Sequence, residues 1–469
     1  MNITKSLFRI QQMKKQPTFL TAIIACLFVA PPFSLFAQEE LDSLMEGFEA
    51  PSTEIATDTS TPSSRTFNMG GYVSLSSSYN TQRQAPTNTI QTDFRGFSRL
   101  RLKLLPEFGY VPTNSLRSFV SFSAFHDLIF QLKESSNYQS DYIDSMENEA
   151  ELREMWILSK LSPALDLKVG RQIVSWGKSD SLRVVDVLNP LDFREPGMVD
   201  LEDLRLPVSM IKLDSYFGKW QATFIAIPEY RSDKMPSFGS DYYPASSPSP
   251  PENRPTVDLE HPEYAVALSG LFSGFDLSFH YAQTYEDQGH MSGSFPKSIF
   301  RAYNKQELIG LAQNFSTGSF LIKTELAHIT NISFFNTGNR AFSRNDLMIG
   351  LDYSGIQDHT ISIETVVRKI ESYDSILDNA PDFTEEVGGQ TAIRVTGKYF
   401  RETAEVTALA MLFGQSAEEG GLYRGSVKFI PMDALSITAG AIVYQGGENQ
   451  FLNALARNDR IFAELRYDY

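Results

Sequence analysis

"RIFAELRYDY", residues 460–469, closes the chain on alternating side chains. Ile461, Ala463, Leu465 and Tyr467 are apolar or aromatic, Arg460, Glu464, Arg466 and Asp468 are charged, and Phe462 is the one exception. Successive side chains of a strand point to opposite faces, so a period of two marks a β-strand with one oily and one wet side. In a soluble sandwich the oily side would meet a second sheet; in a membrane barrel it would meet lipid, and the charged side would line the lumen. Ten residues do not choose between the two.

The same alternation recurs upstream. Arg99, Arg101 and Lys103 oppose Leu100, Leu102 and Leu104; Arg394, Thr396 and Lys398 oppose Ile393, Val395 and Tyr399; Arg424, Ser426 and Lys428 oppose Tyr423, Val427 and Phe429. A charged second face on strand after strand is what a water-filled interior requires. The pattern predicts strands near 67–79, 94–105, 115–127, 149–160, 164–174, 207–217, 219–228, 261–272, 274–284, 303–315, 318–330, 344–354, 359–370, 389–400, 402–413, 420–431, 434–445 and 458–469. That is about eighteen, with sixteen also compatible. Long polar connections alternate with short breaks such as "PEFGYVPTN", "STG" and "PMD". Outer-membrane barrels alternate long outer loops with short periplasmic turns, whereas a sandwich has no reason to. The expected fold is therefore all-β, a transmembrane antiparallel barrel over residues 67–469. Its last strand would pair with its first, because an open edge would leave amides unpaired in hydrocarbon.

Composition agrees. Lys5, Arg9, Lys14 and Lys15 precede an apolar run ending at Ala37, the form of a secretory signal peptide over 1–37. The single cysteine, Cys26, falls within that run and would be discarded with it; a lipidation box is the other reading of "IIAC". The remainder would fold without disulfides in an oxidising compartment. Beyond the leader no run of 18 apolar residues suggests a membrane helix. The net charge of −16 argues against nucleic acid as a partner. Residues 38–66 read as a short amphipathic helix, Leu41, Leu44, Met45 and Phe48 at helical spacing, followed by a Ser/Thr/Pro linker. It would be a periplasmic plug or docking helix, or a frayed leader.

The densest feature is "VGRQIVSWGKSDSLRVVDVLNPLDFREPGMVDLEDLRLP", residues 169–207. Charges are interspersed with Val184, Val185, Leu188 and Leu191, which a solvated loop would not need. The spacing predicts a helical turn placing Leu182, Val185 and Leu188 on one side, and Asn189–Pro190 reads as a helix start. Residues 175–206 thus form a candidate constriction loop, folded into the lumen and pinned by ion pairs to a charged wall, or else a cap over the mouth. Its candidate residues are Arg171, Trp176, Arg183, Asp186, Asn189, Asp192, Arg194 and Arg205. The candidate lumen lining is Arg99, Arg101, Lys103, Arg394, Lys398, Arg424, Lys428, Arg460, Glu464 and Arg466. Acids, Glu364 and Asp468 among them, share these walls, so composition does not sign the selectivity of a pore.

The order G-R-Q-x-V-x-W-G from Gly170 to Gly177, with "SLRVVDVLNPLD" and "LEDLRLP", resembles a family of uncharacterised proteobacterial outer-membrane proteins. The resemblance implies barrels related to alginate-export and other substrate-specific porins, encoded near resistance-nodulation-division exporters. It carries Arg171, Trp176, Asp186, Asn189, Pro190 and Arg205 as family positions, and no substrate. A terminal aromatic, Tyr469, resembles the signal read by the barrel-assembly machinery. The functional expectation is a porin or channel in the cell outer membrane, in contact with its lipids and passing an unknown small solute or ion. An outer-membrane component of an export assembly with a periplasmic or exporter partner, and a structural or adhesive barrel, are the alternatives.

No chemistry is expected. The six histidines show no metal-ligand spacing, no cofactor motif is present, and G-x-S-x-G is missing. Ser278 and His280 share a strand face, but alternate residues lie about 6–7 Å apart along a strand, which argues against a bond between them.

Overall fold

The computed structural model describes residues 66–469 apart from 87–91, 200–203, 246, 295–297, 339 and 380–381. The expected signal peptide, helix and linker lie outside the described residues.

The strands are β1 Thr66–Asn80, β2 Gly96–Thr113, β3 Leu116–Asp127, β4 Asn148–Ser162, β5 Leu165–Gln172, β6 Val208–Phe217, β7 Trp220–Ile227, β8 Glu263–Phe272, β9 Phe275–Tyr285, β10 His290–Ser294, β11 Ser298–Ala302, β12 Lys305–Thr317, β13 Phe320–Ser333, β14 Ala341–Ile356, β15 His359–Ile370, β16 Val387–Tyr399, β17 Ala404–Phe413, β18 Gly420–Met432, β19 Leu435–Gln445 and β20 Arg460–Asp468. Eighteen form one closed antiparallel sheet in chain order, while β10 and β11 make a separate hairpin inside the connection between β9 and β12. All eighteen predicted strands are present. The break expected at "PEFGYVPTN" is instead strand as far as Thr113. Pro106 has no amide to give, and the ladder resumes at Glu107, which is opposite Ser121.

The opening stretch forms the closing seam. Ser74 faces Arg466 and Ser76 faces Glu464 across it, alternating with Val73 opposite Tyr467 and Leu75 opposite Leu465. Of the second set Leu75, Leu465 and Tyr467 are exposed on the outside and Val73 is half-buried, and Ile309, Ile349, Val443 and Ile461 are exposed as well. Phe462, the parity exception, belongs to the inner face, where its cross-strand neighbours Ser78 and Gly440 are small.

Long connections collect at one end of the barrel. They hold three short helices, α1 Ile129–Leu132, α2 Ser140–Met146 and α3 Gln450–Leu455. Phe130 and Tyr142 of the first two pack edge-to-face at 5.2 Å. The other end carries only short turns such as 318–319 and 357–358.

Candidate functional site

The segment between β5 and β6 enters the barrel. Trp176, Leu182, Val184, Val185 and Leu188 are buried in one cluster with inner-face residues of β6–β9 and β12–β16, including Ala282, Ala312, Met348, Val366 and Ala392. Small side chains on the wall make room for the segment. At Gly310 a β-carbon would lie 2.5 Å from Val185 Cγ1.

No helix forms at Asn189–Pro190 among the described residues. The Asn189 side chain, fully buried, instead accepts from Val174 N at 2.8 Å and donates to Leu206 O at 2.9 Å, tying the entering strand to the leaving one. Pro190–Asp192 pairs back on Leu204–Leu206. Leu182, Val185 and Leu188 do share a buried cluster, reached without a helix.

The segment's amides are satisfied by carboxylates of the wall. Glu325 of β13 accepts from Lys178 N, from Ser179 N at 2.8 Å and from Val185 N at 3.2 Å. Glu364 of β15 accepts from Asp180 N and Ser181 N, both at 2.9 Å, and from the Ser179 hydroxyl at 2.7 Å. Both are 1% exposed. Lys323 joins Glu364 (3.4 Å), Asp352 (2.8 Å) and Asp180 of the segment. Gly177 opens this turn at φ +88°, and a β-carbon there would meet Glu325 Oε1 at 2.6 Å.

The expected pinning by arginines is therefore corrected in part. Arg183 donates to Asp186 O (2.6 Å) and Asn189 O (2.8 Å), and Arg205 pairs with Asp186 at 2.9 Å, all within the segment. Asp186 also accepts from Trp176 N at 3.1 Å. Arg194 does reach the wall, bonding Glu149 (2.9 Å) as well as Asp192 (2.6 Å). Arg171 lies on the wall itself and holds Glu229 at 2.5 Å. Lys178 pairs with Asp276 of β9 at 2.8 Å.

On the opposite wall Glu195 pairs with Arg99 and, at 2.9 Å, with Arg101. Burial opposes its ionisation, yet Arg101 and Arg99 hold its carboxyl well below the usual carboxylate range. A second inward loop brings Asp241 to Arg460 (2.9 Å) and Tyr242 to Tyr444, while Tyr444 donates to Pro196 O at 2.6 Å. The segment consequently spans the interior from β13–β15 to β2 and β19.

Lys103 and Arg466 sit 5.3 and 3.9 Å from the Tyr72 ring centroid. Arg466 also pairs with Asp468 (2.6 Å) and Lys398 with Glu402 (3.0 Å). Arg394, Arg424, Lys428 and Glu464 share the inner face of β16, β18 and β20. Glu325, Lys323, Glu195 and Asp241 were not singled out in the sequence. The first two were visible as same-parity charges in "LIKTELAH", the others only as loop acids.

The expectation about Ser278 and His280 is overturned: His280 Nε2 lies 2.8 Å from Ser278 Oγ. Their α-carbons are a strand repeat apart, but the imidazole leans along the strand and closes the gap. Trp176 covers the ring at 4.9 Å. Among the described residues no acid hydrogen-bonds Nδ1 of this histidine, so the pair lacks the third member of a hydrolytic triad. No metal-binding cluster occurs among the described residues.

An eighteen-stranded barrel with an inward-folded segment after its fifth strand defines a porin-like class. OccAB3 of Acinetobacter baumannii is 11% identical, with 86% of this chain and 99% of that one covered at a TM-score of 0.52. A BenF-like porin from Pseudomonas fluorescens Pf-5 is also 11% identical, covering 86% and 98% at 0.50. At such identity the likeness shows the fold alone. Among curated proteins none matches. The chain belongs to the family described as "Protein of unknown function (DUF1302)", matched over residues 17–469.

Proposed function

We propose that this protein is an outer-membrane channel for small solutes, with residues 173–207 narrowing its bore. The observation that carries this reading is the segment's route. It lies along half of the inner wall, is held by Glu325 and Glu364, and reaches Arg99 and Arg101 on the other side. A lid over the mouth would leave those wall groups solvated. An outward band of large apolar side chains supports a bilayer setting, since in water such a surface would drive aggregation. The long-loop end would face outward and the short turns the periplasm.

The test is conductance of the purified, refolded full chain in a planar bilayer. Stepwise, reproducible current increments are expected. A silent membrane despite a correctly folded barrel would favour a plugged structural or adhesive role, and dependence of current on a co-purifying periplasmic protein would favour an export assembly.

A further inference from the structure

Three connections of the long-loop end meet at Asp233. The chain between β7 and β8 runs beside the root of the constriction segment, where Lys234 N donates to Leu191 O at 2.9 Å and Phe193 N to Lys234 O at 2.7 Å. The Asp233 carboxylate accepts from Leu191 N at 2.7 Å. Asp233 N in turn donates to Asp287 O at 2.9 Å, which brings in the connection after β9. Lys234 is fixed on its other side, its ammonium lying 2.9 Å from Glu149 and 2.8 Å from Glu151 of β4. The narrowing segment is thus gripped at residues 191–193 by a neighbour that itself leans on Asp287.

Acids crowd this join. The charged groups facing the Asp287 carboxyl are Asp233, Glu263 at the start of β8, and Arg183 and Asp186 of the segment. Asp233 also faces Arg183 and Asp192. Asp186 and Asp192 are paired already, with Arg205 at 2.9 Å and Arg194 at 2.6 Å. Glu286, next to Asp287, is taken by His290 at 2.8 Å and Gln306 at 3.1 Å. Arg183 faces both Asp233 and Asp287, but its hydrogen bonds go to Asp186 O and Asn189 O. Burial and the Asp233 charge accordingly favour the protonated form of Asp287. Asp287 also lines a cavity of about 70 Å³, walled by Val187 of the segment and by Thr284, Gln306, Leu308 and Ile329 of the barrel. An ionised Asp287 can draw about two waters into that space and wet the seam between segment and wall.

We propose that Asp233 and Asp287 form a proton-operated clasp on the constriction segment. While either acid is protonated, the β7–β8 connection grips Leu191–Phe193 and the bore stays narrow; with both ionised, the two connections repel and the grip loosens. The sign follows from linkage. The clasped form holds a proton that the loosened, solvated acids release near their ordinary values, so acid favours the clasp. Above about pH 4 the ratio of loosened to clasped forms should rise about tenfold per pH unit until the clasped-state values are passed. The inference rests on the channel reading and adds to it control by external pH.

Single-channel recording of the refolded full chain from about pH 4 to about pH 8 tests it. A quiet, low conductance is expected at the acid end, with flicker to higher levels growing as pH rises. Asp287→Asn and Asp233→Asn keep the side-chain shape, and the second keeps an acceptor for Leu191 N; each should leave the channel quiet across the range. His290→Gln removes a neighbouring titratable group and should leave the pH response in place. Conductance and noise that do not change with pH in the unmodified chain, a response that survives both asparagine substitutions together, or one lost only with His290, overturns the clasp while leaving the channel standing. Absence of conductance at every pH removes the channel reading, and the clasp is then read chemically. At about pH 8, Val187→Cys should react with a thiol reagent about tenfold faster than the same cysteine beside Asp287→Asn, the change that one pH unit of linkage supplies; equal rates overturn the clasp.

Discussion

Replacing Glu325 by alanine should unlatch the inward segment without unfolding the barrel. Its two oxygens serve Lys178, Ser179 and Val185 amides. A buried donor left without a partner costs about 1–3 kcal/mol. Three would cost about 3–9 kcal/mol if the site stayed dry. The space vacated by the side chain adjoins a wet lumen, so water would recover much of this, and about 2–4 kcal/mol is the expected net loss. That raises the population of displaced states roughly 30- to 1000-fold, enough for a rarely visited conformation to become a visible one. Glu325→Gln should be milder. Its amide nitrogen would face one of the same backbone donors, while its oxygen keeps the others with a neutral instead of a charge-assisted bond. The barrel itself should survive, because its strands are held by backbone ladders around a closed sheet. Single-channel recording is the assay: flicker to higher conductance levels in the alanine variant, less in the glutamine variant, and more when Glu364→Ala is added. Identical conductance and noise in the unmodified and doubly substituted channels would refute the latch.

Deleting 179–203 behind a short glycine linker should raise mean conductance and solute cut-off; normal insertion with neither changed would place the segment outside the permeation path. In the outer loops, burial pushes the Asp287 carboxyl well above its ordinary value, with the neighbouring Asp233 charge adding to the shift, and burial raises Asp233 too. The folded form then favours the protonated acids, so their contribution is full below about pH 4 and is lost as pH rises through the folded-state values. Asp287→Asn should thus raise the thermal midpoint at pH 8 more than at pH 4, and an equal shift at both would count against a buried, proton-holding pair. Cysteines replacing Ser247 or Asn253, both exposed in the long connection 231–258, should react with an impermeant thiol reagent on intact cells, whereas one replacing Asp433 in a short turn should react only after the outer membrane is breached; the reverse pattern would invert the orientation.

Much of the barrel was legible because a strand's period is two and one of its faces meets a non-aqueous surface. Leu465 and Arg466 already declare opposite sides, and the seam places them so. Loop parity supplied the strand number for a similar reason: each crossing returns the chain to the opposite end. The inner-wall candidates on β2, β16, β18 and β20 followed from the same alternation. So did the likelihood that residues rich in valine and leucine, 182–191, needed something to pack against.

What the chain order could not convey is which distant groups meet. Asn189–Pro190 has the local form of a helix start, and isolated amides would take intrahelical partners. Once the sheet closes, Glu325 and Glu364 arrive with charged acceptors for the amides of 178–185, and the Asn189 amide bridges two strand ends instead. Arg183 and Arg205 looked like anchors to the wall, yet Asp186 and Asn189 lie nearer in the folded segment and claim them. Mean strand spacing separated Ser278 from His280, while side-chain lean under the Trp176 indole brought them together. Periodicity is a property of each strand alone and survives in the sequence. The pairing of carboxylate with amide depends on barrel register and loop path, which exist only after every strand is in place.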